Sequence, residues 1–245
     1  MLPMVAAFLI VAVLYASVGF GGGSTYSALL ALSGFDYRLL PILSLACNIV
    51  VVAGGTIRFA RAGITPWRGA ILLTLIAAPA AFLGGLTPIA QDEFLLLLGA
   101  SLVLTGVGLL IPVRRGEAAE PTLAARWIPI AAAPIGYIAG LVGIGGGIFL
   151  APLLHLTRWD SARAVAATAS LFILVNSLFG IAGQLLKNGP GLLAVAVATG
   201  IPLLLAVVVG GQIGSLMAVK FLPQIVIRWL TAALTIVVGL RLLFF

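Results

Sequence analysis

Ala16-Ser-Val-Gly19-Phe-Gly21-Gly22-Gly23-Ser24 returns 124 positions later as Gly140-Leu-Val-Gly143-Ile-Gly145-Gly146-Gly147-Ile148. Glycine costs about 1 kcal/mol against alanine in a helix interior. Four glycines within five positions therefore interrupt a helix, and here they do so twice in otherwise apolar sequence. Broken backbone at membrane depth is tolerated only where protein or a water-filled cavity surrounds it. Paired interruptions in the two halves of a membrane chain point to a transport site.

The repeat extends outward from the glycines. Leu29-Leu-Ala-Leu32 and Phe35-Asp36 match Leu153-Leu-His-Leu156 and Trp159-Asp160 at the same offset, and Leu98–Leu102 matches Leu230–Leu234 at offset 132. With 62% hydrophobic and only 8% charged residues the chain has too little charge to solvate a soluble domain. Apolar peaks run over 2–34, 39–57, 68–88, 94–112, 126–156, 164–185, 190–218 and 226–245. Most suit one crossing of about 20 residues. The two glycine-bearing peaks are too long for that, and each reads as two shorter helices beginning again near Ser24 and Ile148. The expected class is an all-α polytopic membrane protein of two inverted repeats, residues 1–112 and 126–245, joined by a cytoplasmic linker at 113–125. Whether each broken segment is a re-entrant hairpin or two short crossings stays open. Met1–Ser17 lacks the basic start and cleavage pattern of a signal peptide.

A net charge of +7 does not imply nucleic acid, because the cations sit at segment ends instead of forming one patch. They report topology through the positive-inside rule. With Arg58, Arg61, Arg68, Arg114, Arg115 and Arg126 cytoplasmic, inverted halves add Arg158, Arg163, Lys220 and Arg228, leaving Arg38, Lys187 and Arg241 outside. Parallel halves leave five outside. The inverted arrangement is expected, with both termini periplasmic. Trp67, Trp127, Trp159 and Trp229 each adjoin an arginine, as interfacial anchors do.

All six acids fall at peak boundaries, so no buried proton relay is visible. Asp36 and Asp160 follow the two broken segments, where capping the next helix and gating are both open. Neutral hydrogen-bonding residues lie within the apolar peaks, and these suit an anion. Helix N-termini present unpaired N–H groups and about half a positive charge, and glycine lets a ligand approach the backbone. The candidate substrate-binding residues are Gly21, Gly22, Gly23, Ser24 and Asn48 in the first half and Gly145, Gly146, Gly147, Thr168, Ser170 and Asn176 in the second. Asn48 with Asn176, or Ser44 with Thr168, are alternative equivalent pairs. The competing reading of the glycines is close helix packing.

Gly19-Phe-Gly-Gly-Gly-Ser is neither a dinucleotide fingerprint nor a phosphate-binding loop. A single histidine, His155, and a single cysteine, Cys47, supply no metal, haem or disulfide set, so no cofactor is expected.

The duplicated Gly-x-Gly-Gly-Gly break, the aspartate after it and Ala167-Thr-Ala-Ser-Leu171 resemble the sulfite exporter TauE/SafE family. The likeness covers nearly the whole chain and is strongest in the second half; in the first half Pro41-Ile-Leu-Ser-Leu-Ala46 departs from the pattern. It implies transport of small sulfur-containing or organic anions, in the class of sulfite, sulfonates and sulfoacetate, across the bacterial inner membrane. The expected activity is export by alternating access, without enzyme chemistry. Import of the same anions and a non-transporting scaffold subunit are the alternatives. Expected partners are the small anion and the lipid bilayer, with a homodimer compatible with either.

Overall fold

The computed structural model describes residues 2–18, 21–110, 123–217 and 224–244. Gly19, Lys220 and all but the end of the 113–125 linker lie outside them. Nine helices are described: α1 (Leu2–Val18), α2 (Gly23–Leu32), α3 (Leu39–Arg61), α4 (Trp67–Leu86), α5 (Gln91–Leu110), α6 (Ile128–Val142), α7 (Gly147–Leu156), α8 (Ala162–Met217) and α9 (Gln224–Phe244). A 3-10 turn, Leu123–Trp127, leads into α6. Five apolar stretches reach membrane-crossing length, in α3, α4, α5, α6 with its 3-10 turn, and α8. The protein is a multi-pass, all-helical membrane protein.

The glycine breaks separate α1 from α2 and α6 from α7. Helices restart at Gly23 and Gly147, one residue earlier than the sequence suggests, because the preceding Gly22 and Gly146 take left-handed backbone (φ 77° and 80°) and act as N-caps. Their carbonyls then accept from Thr25 and Tyr26, and from Phe149 and Leu150. α8 is long enough for two crossings and bends at Gly189 (φ 75°, ψ 176°), followed by Pro190, which has no N–H to continue the ladder. Its two limbs, 162–188 and 190–217, correspond to the sixth and seventh apolar peaks. Counting the limbs separately, each half runs through the same order of elements.

The main packing pairs are α3 and α4 with α8, α4 with α6, α1 with α8, and α5 with α9. Small residues set the closest of these. Gly136 and Gly140 of α6 lie against the Ala77 and Ala81 carbonyls of α4, and Gly210 and Gly214 of α8 against the Leu9 and Val13 carbonyls of α1. Both are small-xxx-small contacts. One apolar core joins α1, α2, α3, α5 and the second limb of α8, with Phe8 stacked on Tyr26 at 4.7 Å. A smaller one joins α4, α6, α7 and the first limb of α8 around Phe172.

Contacts along α4 fix which loops share an end. Trp159, in the α7–α8 turn, covers Gly69 at the start of α4. Lys187 Nζ donates to the Thr87 carbonyl at its finish (3.2 Å). A 20-residue helix is about 30 Å long, so Trp159 and Lys187 belong to opposite ends of the bundle. Trp67, Trp127 and Trp229 are exposed at helix ends. Asp160 and Asp36 organise turns: Asp160 Oδ1 accepts from the Ser161 amide while Ser161 Oγ caps α8 at Ala164, and Asp36 Oδ1 accepts from the Arg38 amide ahead of α3.

Candidate functional site

The two breaks meet at one side chain. Asn48, wholly buried on α3, accepts a hydrogen bond at Oδ1 from the Gly23 amide (2.9 Å) and donates from Nδ2 to the Ile144 carbonyl (3.1 Å). The first contact satisfies one of the N–H groups that open α2, which have no intrahelical acceptor. The second satisfies a carbonyl freed by the break after α6. One carboxamide thus ties a helix start in the first half to the broken backbone of the second.

The glycines divide into two sets. A methyl group at Gly21 or Gly23 would strike the Asn48 carboxamide, one at Gly145 would meet Asn48 Nδ2 and Ser177 Oγ, and one at Gly147 would strike Ile173. Gly21 and Gly145 also share Ile173 Cγ2 as a neighbour, so both breaks converge on Asn48 and Ile173. Gly22 and Gly146 instead turn toward aromatic rings, Tyr15 and Tyr26 for one and Phe172 for the other. The outer members of each triplet face the crossing of the breaks; the middle members are left-handed hinges packed on aromatics. Gly143, also left-handed (φ 82°), has room only for Pro41 of α3 against its Cα.

The remaining candidates lie around this crossing or along α8. Ser24 Oγ sits beside the Tyr15 hydroxyl, which bonds Thr25 Oγ1 at 2.7 Å. Ser44 Oγ accepts from Ser27 (2.7 Å), tying α2 to α3, and Ser170 faces Gly55 of α3. Thr168 Oγ1, both polar atoms of Asn176 and Ser177 Oγ are buried without a hydrogen-bond partner among the described residues. Such groups are costly unless something polar meets them. Asn176 does not stand where Asn48 stands: Gly147 has Ile173 against it where its counterpart Gly23 has Asn48. The repeat is chemically asymmetric at its centre.

Sequence reasoning passed over Gln184, which is wholly buried and donates from Nε2 to the Gly140 (3.0 Å) and Leu141 (3.2 Å) carbonyls in the last turn of α6. Its signal was available: a polar residue in an apolar peak, two helical turns beyond Asn176. No group of three or more His, Cys, Asp or Glu that could hold a metal occurs among the described residues.

An all-helical bundle with two interrupted segments crossing over buried polar groups is the architecture of a membrane transporter. The profile of the sulfite exporter TauE/SafE family matches residues 4–242, and the chain belongs to that family. It is 33% identical over 243 residues to a probable membrane transporter protein of Sinorhizobium fredii, covering 97% of this chain and 96% of that one. It is also similar to a probable membrane transporter protein of Xylella fastidiosa, with 28% identity over 74% of this chain and 71% of the relative. A shorter match, 29% identical over 109 residues, 44% of this chain and 40% of the relative, is to a probable membrane transporter protein of Methanocaldococcus jannaschii. No solved structure matches the chain significantly.

Proposed function

We propose that this transporter exports a small oxyanion of the sulfite and sulfonate class across the bacterial inner membrane, by alternating access of two inverted halves about the crossed breaks. The observation that carries the reading is Asn48 Oδ1 resting on the Gly23 amide. That oxygen stands where an anionic oxygen would be received by the start of α2, and the start of α7 lies across Ile173 from it. Two helix N-termini and the buried hydroxyl and amide groups of Thr168, Asn176 and Ser177 offer hydrogen-bond donors without any fixed counter-charge. In this reading the anion displaces the Asn48 carboxamide. The tie between the halves is then released only when substrate replaces it.

Inverted halves are supported by Trp159 lying against Gly69, beside Arg68 at the end of α4 read as cytoplasmic, with Lys187 at the other end. Both termini are then periplasmic. Export is favoured because an inside-negative potential contributes about 2.3 kcal/mol per charge per 100 mV toward expelling a monoanion. The described acids Asp36, Asp92, Glu93 and Asp160 all lie at helix ends or in turns, away from the crossing.

The test is a panel of labelled sulfite, thiosulfate, sulfoacetate and taurine in proteoliposomes, paired with thermal shifts of the purified protein. A ligand confined to the folded state stabilises it by about 2.7 kcal/mol at a hundred times Kd. Potential-driven flux of sulfite or sulfoacetate, but not of the zwitterion taurine, is the expected outcome. Silence across the panel rejects the anion reading.

A further inference from the structure

We propose that a cavity at the Lys187 end of the bundle, on the face read above as periplasmic, is the site through which the exported anion leaves the crossed breaks and by which it can re-enter from outside. This rests on the anion reading above.

The cavity, about 160 Å3, opens between the α2–α3 turn, the α4–α5 turn and the end of the first limb of α8. It falls below the roughly 300–1,000 Å3 of sites for drug-sized ligands and suits a small oxyanion keeping some of its water. Its walls carry two cations, Arg38 and Lys187, with Tyr37, and no acid lines it. Its inner wall is Pro41, Leu141 and Gln184. These belong to the second break: Pro41 is the residue against Gly143, and Gln184 holds the Gly140 and Leu141 carbonyls. The cavity is therefore one side chain away from the interrupted backbone.

Below it, α8 carries polar residues at Asn188, Gln184, Asn176 and Thr168 on a four-residue row that winds round the helix and is interrupted by Gly180, packed on Gly140, and by Phe172 of the smaller apolar core. Gln184, Asn176 and Thr168 are each fully buried, and the last two are among the groups without partners. At a rise of 1.5 Å per residue the row from Gln184 to Thr168 descends about 24 Å, most of the depth of the hydrocarbon. Unpartnered polar groups beside the convergence of both breaks and a cationic cavity nearer the membrane surface are what an anion needs on its way back to water.

Arg38 is held by Asp36 in the one ion pair among the described residues, at 2.7 Å, so the carboxylate competes with an arriving anion for the guanidinium. Asp36 is itself held below its usual carboxylate range by that guanidinium. Among the described residues Lys187 Nζ donates only to the Thr87 carbonyl.

The experiment is sulfite flux from the Lys187 face, in proteoliposomes of one defined orientation, at graded sulfite concentration on that face and two ionic strengths, with equal reconstituted protein. Lys187→Gln and Arg38→Gln should each raise the half-saturating sulfite concentration about three- to fivefold, the scale of one solvent-screened charge, with maximal flux nearly unchanged. Lys187→Arg should restore it. Asp36→Asn keeps the acceptor for the Arg38 amide while freeing the guanidinium, and should lower the half-saturating concentration. Added salt should weaken saturation in wild type and much less in the Lys187→Gln, Arg38→Gln double variant. Wild-type saturation and salt dependence in that double variant would overturn the release site alone. Absence of flux in wild type rejects the anion reading and this inference with it.

Discussion

At the scale of single residues, Asn48 is the position on which the two halves depend. Replacing it with leucine strands the Gly23 N–H and the Ile144 carbonyl in a buried setting, at about 1–3 kcal/mol each. Asn48→Leu should therefore lower the thermal unfolding midpoint clearly and abolish flux. Asn48→Asp retains the acceptor for Gly23 but loses the donor to Ile144 and puts a negative charge where the anion is received, so flux should fail in a protein that still binds detergent as a monodisperse species. The divided roles of the glycines give a second expectation. Gly21 and Gly147 have φ values open to any residue, so Gly21→Ala and Gly147→Ala act through crowding of Asn48 and Ile173. They should reduce flux more than stability. Gly22→Ala and Gly146→Ala force a side chain into left-handed backbone, costing about 1–3 kcal/mol, and should show the reverse order. Equal effects of all four on flux and melting would remove the distinction between hinge and site.

At the scale of elements, the breaks were legible because a run of glycines has few other uses in apolar sequence, and the bend of α8 because Asn188-Gly-Pro190 separates two apolar peaks. The placement of Asn48 was legible, but its partners were not. Ile144 lies 96 positions away, and nothing local reveals which of several buried amides will cross to it. The sequence repeat also hides a difference in the packing. Where α6 meets α4 both helices supply glycines, Gly136 and Gly140 from α6 and Gly84 from α4; where α1 meets α8 they are Gly210 and Gly214 of α8. Only the assembled backbone shows which partner of each pair supplies the small residues. Leucine at Gly140 or at Gly214 would meet a neighbouring carbonyl, Ala81 or Val13, and drive the helices apart. Each of Gly140→Leu and Gly214→Leu should keep its helical circular dichroism while losing cooperative thermal unfolding. A sharp transition at the wild-type midpoint in both would show that the close approach is dispensable.

At the scale of the whole molecule, the testable quantity is sidedness. Cys47 is buried, so cysteines introduced at Arg61 and at Arg38 can be read against little background from membrane-impermeant maleimide. Arg38 is expected to be labelled from the periplasm and Arg61 only after the membrane is opened; the inverted arrangement is told from a parallel one by a third cysteine at Arg158, which it also places on the cytoplasmic face. Labelling of Arg61Cys in intact cells would reject that orientation. The cations at helix ends give this expectation from the sequence, since it needs no knowledge of packing. The cavity beside Lys187 was not legible, because its walls come from four separated segments.

The asymmetry of Asn48 and Ile173 bears on the joining of the halves. Two identical half-length chains associating about a twofold axis are bound to present the same residue on both sides of that axis, hence two amides or two aliphatic groups where the breaks meet. A single chain is free of that restriction, and the pairing of one amide with one isoleucine is open to it and closed to such a homodimer. The halves are therefore not interchangeable parts: a self-associating second half would bring two isoleucines together, with no carboxamide to join them.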